Sequence, residues 1–169
     1  MNKKKFTKIL MASFAVLVIL LFVYQLIKKS FSGPLYGPYM VNYVFDGDTI
    51  EVIIDGKEER IRLIGIDCPE SASHNEEENS EEGRIAAEYT KNLLTNQYVY
   101  LEYDIETYDK YGRTLAYVYL DDKETMVNGL IMQNGYAVLM TIQPNSKYSN
   151  YFYKLQKEAQ KNKVGLWAE

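Results

Sequence analysis

An uncharged run of 19 residues, Ile9 to Ile27, constrains this chain more than any other feature, because it separates the N-terminus from whatever the remaining residues build. As a helix it would span about 28 Å at about 1.5 Å per residue, close to the hydrocarbon thickness of a bilayer. Lys3, Lys4, Lys5 and Lys8 precede it and Lys28 and Lys29 follow. The positive-inside bias then predicts a cytoplasmic N-terminus and a C-terminal domain outside the cell membrane. The competing reading is a cleaved signal peptide and a secreted domain. The run is longer than a usual signal core, and two lysines separate it from the only small-x-small step, Ser30-Phe31-Ser32. The expected organisation is a cytoplasmic stub and transmembrane anchor or signal over residues 1–28, a linker over 29–38 rich in Gly, Pro and Ser, and one domain over 39–169.

Charge narrows what that domain can do. All 23 acidic residues lie beyond residue 45, whereas six of the 19 basic residues flank the apolar run. The 13 remaining cations against 23 anions leave a net charge of −10 outside the membrane. Tight sequence-reading DNA binders rely on many Lys and Arg contacts to phosphate, so that class is excluded. An enzyme that holds one phosphodiester briefly beside a divalent cation is not, since the cation supplies positive charge. Cys68 is the single cysteine, which rules out an intrachain disulfide and leaves stability to packing.

Residue patterns predict a small α+β domain. Tyr39 to Phe45, Thr49 to Ile54, Arg60 to Ile66, Tyr98 to Tyr103 and Thr114 to Leu120 read as strands, with Asp55-Gly56 as a hairpin turn. Ile85, Tyr89 and Leu93 recur at four-residue intervals, which predicts a helix over Arg84 to Thr95 with Ser80 as its cap and Asn96 as its stop. Met126 to Asn134, ended by Gly135, and the amphipathic Tyr148 to Lys161 supply two more. Ser71 to Glu82 holds five glutamates and reads as a surface loop. There is no internal repeat, zinc-ligand spacing or glycine-rich phosphate loop.

Three polar clusters stand where predicted strands give way to turns: Asp46-Gly47-Asp48-Thr49, Arg62 through Asp67-Cys68-Pro69-Glu70, and Asp109-Lys110-Tyr111-Gly112-Arg113. A small barrel could bring two aspartates, a glutamate and two arginines to one mouth, the inventory of a metal-assisted phosphodiesterase. A hard dication takes oxygen ligands, for which Asp48 and Asp67 are candidates. Glu70, three residues on and past a proline, is placed to lie near the ion without ligating it, as a general base requires. Arg62 and Arg113 could bind phosphate bidentately and neutralise charge on its equatorial oxygens. Taken singly, each has an ordinary structural reading: Asp-Gly-Asp as a turn, Asp67 as a strand terminator, a strand arginine as a surface ion pair, Glu70 as a solvated loop residue. Arg62 alternates with the apolar Ile61 and Leu63, but Ile64 breaks the pattern, so its facing is open at the level of sequence.

In order, spacing and identity the three clusters resemble the thermonuclease (staphylococcal nuclease-like) family, from about Tyr39 to Trp167. The resemblance implies a five-stranded OB-fold β-barrel with three α-helices, here preceded by one N-terminal transmembrane helix. It implies Asp48, Asp67 and the backbone carbonyl of Cys68 as ligands of Ca²⁺, Glu70 as the base or water-positioner, Arg62 and Arg113 as the catalytic arginines, and Lys110 and Tyr111 as substrate contacts. The implied reaction is hydrolysis of DNA and RNA with little sequence preference, giving 3′-phosphate and 5′-hydroxyl ends. The Cys68 side chain is then free to vary, and neither it nor His74 is assigned chemistry. Two departures fall on substrate grip: an acidic loop replaces a lysine-bearing one after Pro69-Glu70, and Met140 to Gln143 lacks the family's tyrosine pair. The alternative is a non-catalytic nucleic-acid or protein-binding barrel of the same fold, although such modules lose the carboxylates or arginines that are all present here. The small single domain favours a monomer, with no protein partner evident.

Overall fold

The structure, a computed structural model, describes residues 11, 13–23, 33–71 and 80–168. The chain divides into two compact units, Met1–Pro34 and Leu35–Glu169. In the first, residues 13–23 are helical and their side chains are exposed. Among the described residues no helix is long and apolar enough to cross a membrane. The expected span Ile9 to Ile27 includes residues that lie outside the described ones.

The second unit is built on a closed five-stranded barrel. Strands β1 (Tyr36–Val44), β2 (Thr49–Ile54) and β3 (Lys57–Leu63) form an antiparallel meander. The β2–β3 turn is the expected Asp55-Gly56 pair, both with positive φ, as a two-residue hairpin turn of the primed type requires. Strand β4 (Gly65–Asp67) follows at once, then helix α1 (Glu81–Leu94), strands β5 (Tyr98–Glu102) and β6 (Thr114–Tyr119), helix α2 (Val127–Gln133), strand β7 (Val138–Met140), helix α3 (Ser149–Asn162) and a 3-10 turn, Gly165–Trp167. The barrel order is β1-β2-β3-β6-β5, closed by antiparallel pairing of β1 with β5. β3 and β6 are its one parallel pair.

Inward positions obey the period of two. Ile50 and Val52 of β2, Ile61 and Leu63 of β3, and Val99 and Leu101 of β5 are each at most 1% exposed. Burial is unbroken along Val99–Glu102 of β5 and also along β6, where Ala116, Tyr117, Val118 and Tyr119 are all buried. One face fills the barrel and the other lies under helices, where Tyr117 meets Tyr148 edge-on at 4.6 Å and Phe152 of α3 at 6.1 Å.

The run expected as one strand, Arg60 to Ile66, is two strands in two sheets. Ile64 leaves the barrel, Gly65 turns with φ +84°, and β4 pairs with β7 as a separate two-stranded sheet. A Cβ on Gly65 would stand 2.5 Å from the Phe152 ring, so close packing of α3 needs glycine here. Fully buried Asn128 of α2 repairs the break: its Nδ2 donates to the Ile64 carbonyl and its Oδ1 accepts from the Val118 N–H, both at 2.9 Å. β1 also starts earlier than Tyr39. Tyr36 already pairs with Leu101, across an irregularity that accommodates Gly37 and Pro38.

Candidate active site

Asp48 ends the β1–β2 connection in a local turn, where its N–H donates to Asp46 Oδ1 at 3.0 Å. Asp46 thus has the turn role read for it. Gly47 fits only without a side chain, since a Cβ would lie 2.6 Å from Cys68 Sγ. Its carbonyl accepts from the buried Thr90 hydroxyl of α1 at 2.8 Å, and the Asp48 carbonyl accepts from the Leu63 N–H at 2.9 Å. The turn is therefore tied to α1 and to the end of β3 at once.

Around that anchor three charged groups converge. Arg62 Nη1 lies 3.1 Å from Asp48 Oδ1, and its Nη2 lies 2.7 Å from Asp67 Oδ1. Nη1 also donates to the carbonyls of Leu63 (3.0 Å) and Ile66 (2.9 Å), the residues on either side of the break. The strand interruption thus creates the acceptors that turn Arg62 inward, which settles its facing. Asp48 Oδ2 accepts from the Cys68 N–H at 2.6 Å, and Oδ1 from the Thr49 hydroxyl at 3.2 Å. Burial raises the Asp48 carboxyl to about 7, with Arg62 pulling the other way. Burial, with Asp48 beside it, also raises the Cys68 thiol well above its usual value, so the side chain is a protonated packing group and no nucleophile.

Glu70 follows on an exposed turn. Its carbonyl accepts from the Ser80 N–H at 2.9 Å, and Ser80 Oγ caps α1 by accepting from the Gly83 N–H at 3.0 Å. Gly83 presses on this turn so closely that a Cβ would sit 2.1 Å from the Glu70 carbonyl oxygen. His74 lies outside the described residues.

The third cluster precedes β6, which runs beside β3 with Arg62 opposite Leu115. Asp109 organises it. Its Oδ1 accepts the N–H groups of Tyr111 and Arg113, each at 2.9 Å, and its Oδ2 accepts from Arg113 Nε at 2.7 Å. Burial acts to raise the Asp109 pKa, but these N–H groups and the guanidinium together hold it below the usual value. Lys110 Nζ and the Arg113 guanidinium lie 4.9 and 5.5 Å from the centre of the exposed Tyr111 ring. The loop is held further by Asn145, whose amide donates to the Glu106 carbonyl and accepts from its N–H, both at 2.8 Å.

Asp48, Arg62, Asp67 and Cys68 thus form one contact network, and Lys110, Tyr111 and Arg113 a second at the start of the neighbouring strand. Asp109 and Asn145 were absent from the candidates read in the sequence. The Asp-x-x-Gly-Arg spacing is a signal for Asp109, since a short carboxylate readily accepts backbone N–H groups two to four residues on. Asn145 carries no such signal.

Among the described residues there is no group of three or more His, Cys, Asp or Glu side chains arranged to hold a metal ion. The donors that are present still fit a hard dication: two carboxylates of the Arg62 network and the Cys68 carbonyl are all oxygen, with water able to complete the shell. A buried carboxylate whose ionisation is opposed by desolvation gains from such an ion.

The staphylococcal nuclease homologue family matches residues 60–169. A thermonuclease of Staphylococcus intermedius is 43% identical over 98% of this chain and 98% of its own length. A thermonuclease of Staphylococcus hyicus is 44% identical over 77% of this chain and 75% of its own. The Bacillus subtilis endonuclease YncB is 36% identical over 73% of this chain and 58% of its own. With the five-stranded barrel and its two polar networks, these matches establish that the chain belongs to the staphylococcal nuclease homologue family and is a nuclease.

Proposed function

We propose that this nuclease is Ca²⁺-dependent, hydrolyses DNA and RNA with little sequence preference to 3′-phosphate and 5′-hydroxyl ends, and acts as a monomer outside the cell. Residues 1–28 anchor it in the membrane, with cleavage as a signal the alternative, and the residues between them and β1, which begins at Tyr36, tether the domain. The observation that carries the catalytic reading is the network in which buried Arg62 joins buried Asp48 to the half-exposed Asp67, one strand away from Arg113.

Asp48, Asp67 and the Cys68 carbonyl hold the ion, which when bound supplies positive charge for a phosphate oxygen and polarises water. Glu70 accepts the proton of the attacking water and orients it in line with the leaving oxygen. Arg62 and Arg113 divide the remaining electrostatic work unequally. Arg62 is 7% exposed and its Nη1 is committed to carbonyls and Asp48, so it offers mainly Nε–H and one Nη2 hydrogen. The Arg113 side chain is more open, and Asp109 engages it through Nε rather than through its terminal nitrogens. Arg113 is therefore the principal clamp for charge that builds on phosphorus, and Arg62 fixes the two carboxylates. Tyr111 offers a ring to a base, with Lys110 beside it for the phosphate.

The test is to incubate the protein with denatured DNA in Ca²⁺ or in chelator and to label fragment ends. Fragments with 5′-hydroxyl termini that vanish in chelator and in Glu70→Gln support the reading. Full cleavage in chelator refutes the metal role, and full activity in Glu70→Gln refutes the base. N-terminal sequencing of protein from cell envelope and medium separates anchor from signal.

A further inference from the structure

We infer that the tyrosines gathered at the end of the barrel where β1 begins, Tyr36, Tyr39, Tyr103 and Tyr108, extend the substrate track by stacking unpaired bases of the nucleic-acid strand. The inference rests on the nuclease site above and concerns residues that neither the motifs nor that site uses. Tyr36 and Tyr103 pack ring to ring at 5.1 Å, and β1–β5 pairing sets Tyr39 opposite Val99 on the strand that leads to Tyr103. Burial raises the Tyr103 hydroxyl, and Tyr39, Tyr108, Tyr36 and Glu59 lie near enough to raise it further.

Tyr39 and Tyr103 are half-buried against the core and form the base of the cluster, whereas Tyr36 is 45% and Tyr108 63% exposed, and Tyr111 beyond them is 72% exposed. The cluster is continuous with the active-site loop, since Tyr108 bridges to Thr114, the residue after Arg113, and Asp109 pairs with Arg113 in backbone and side chain. That continuity selects the occupant. Glu59 disfavours phosphate at the cluster itself, whereas Lys110 and Arg113 favour it at the loop. A strand laid with its phosphates along the loop turns its bases toward the rings. Base–tyrosine stacking tolerates any sequence and needs no added positive charge, which suits a domain with net charge −10 outside its N-terminal segment.

The experiment compares full-length wild type, Tyr36→Ala, Tyr108→Ala and Tyr108→Phe on a dinucleotide-length ester with a chromogenic leaving group and on a long oligothymidylate. Both alanine variants are expected to raise KM for the long substrate about fivefold or more, with kcat and short-substrate turnover unchanged, and Tyr108→Phe to retain wild-type KM. A length-independent loss, or no loss, overturns the inference. So does an unchanged KM ratio accompanied by altered binding to anionic vesicles or altered sedimentation, which would assign the rings to lipid or to a second copy. Failure of wild type on the short substrate would instead count against the active-site reading, which keeps the two failures apart.

Discussion

The carboxylate of Asp48 accepts the backbone N–H of Cys68 at 2.6 Å across 20 positions of sequence, so the β1–β2 turn and the chain that leaves β4 form one unit. Arg62 completes it by holding Asp48 and Asp67 together. Both carboxylates depend on one guanidinium.

Arg62→Ala should therefore cost about 3–5 kcal/mol of unfolding free energy, because it leaves buried Asp48 without its counter-charge. The loss should be larger at pH 8 than at pH 5, where Asp48 takes up a proton and removes the unpaired charge. Urea unfolding in chelator at the two pH values checks this. Equal losses would show that Arg62 acts by packing alone.

Asp48 also sets a pH dependence. Its carboxyl is pushed up to about 7 from an ordinary 3.8, so the fold binds the proton more tightly than the open chain does. The stabilisation this contributes is whole below about pH 4 and is lost as pH rises through about 7. In chelator, wild type should lose stability over that window relative to Asp48→Asn. A cation must expel the same proton, so its affinity should fall by up to about tenfold per pH unit below 7. Calorimetric titration with Ca²⁺ in buffers of different ionisation enthalpy measures the proton released.

Arg113→Lys should lower kcat by about 10² to 10³ with an unchanged melting temperature, since an ammonium cannot engage Asp109 through Nε and present two further nitrogens to phosphate. Asp109→Asn should give a smaller loss, because two backbone N–H acceptor contacts can survive in the amide. An active Arg113→Lys enzyme would remove the arginine from the mechanism.

Gly83→Ala probes the turn that carries Glu70. Alanine is the better helix former by about 1 kcal/mol, yet its Cβ would stand 2.1 Å from the Glu70 carbonyl oxygen. The turn must move. The expected result is a helical, folded protein whose turnover falls by about 10², the scale of an ångström-sized misplacement. A more stable and fully active variant would mean that the turn yields without carrying Glu70 off position.

How far the site could be read in advance depended on the range of the interaction. The Asp46 turn, the Ser80 cap and the Asp55-Gly56 hairpin are local. Each arises within a few residues, and each is found where its residue types predict it. Arg62 was illegible in facing because its acceptors, the Leu63 and Ile66 carbonyls, exist only once Ile64 and Gly65 break the strand. That break in turn rests on Phe152 and Asn128, far along the chain. β4 and β7, three residues each, are too short to carry a period.

By itself the sequence determined the approximate extents of the five barrel strands and three helices, the polar clusters at their ends and the absence of any intrachain disulfide, because dihedral preference, capping and alternation act between near neighbours. Tertiary structure alone decided that β6 lies parallel beside β3, that Arg62 turns inward onto two aspartates, and that Asp48 is buried deeply enough to hold a proton near neutrality. Those outcomes come from desolvation and from contacts between segments dozens of residues apart, which exist only when the barrel closes.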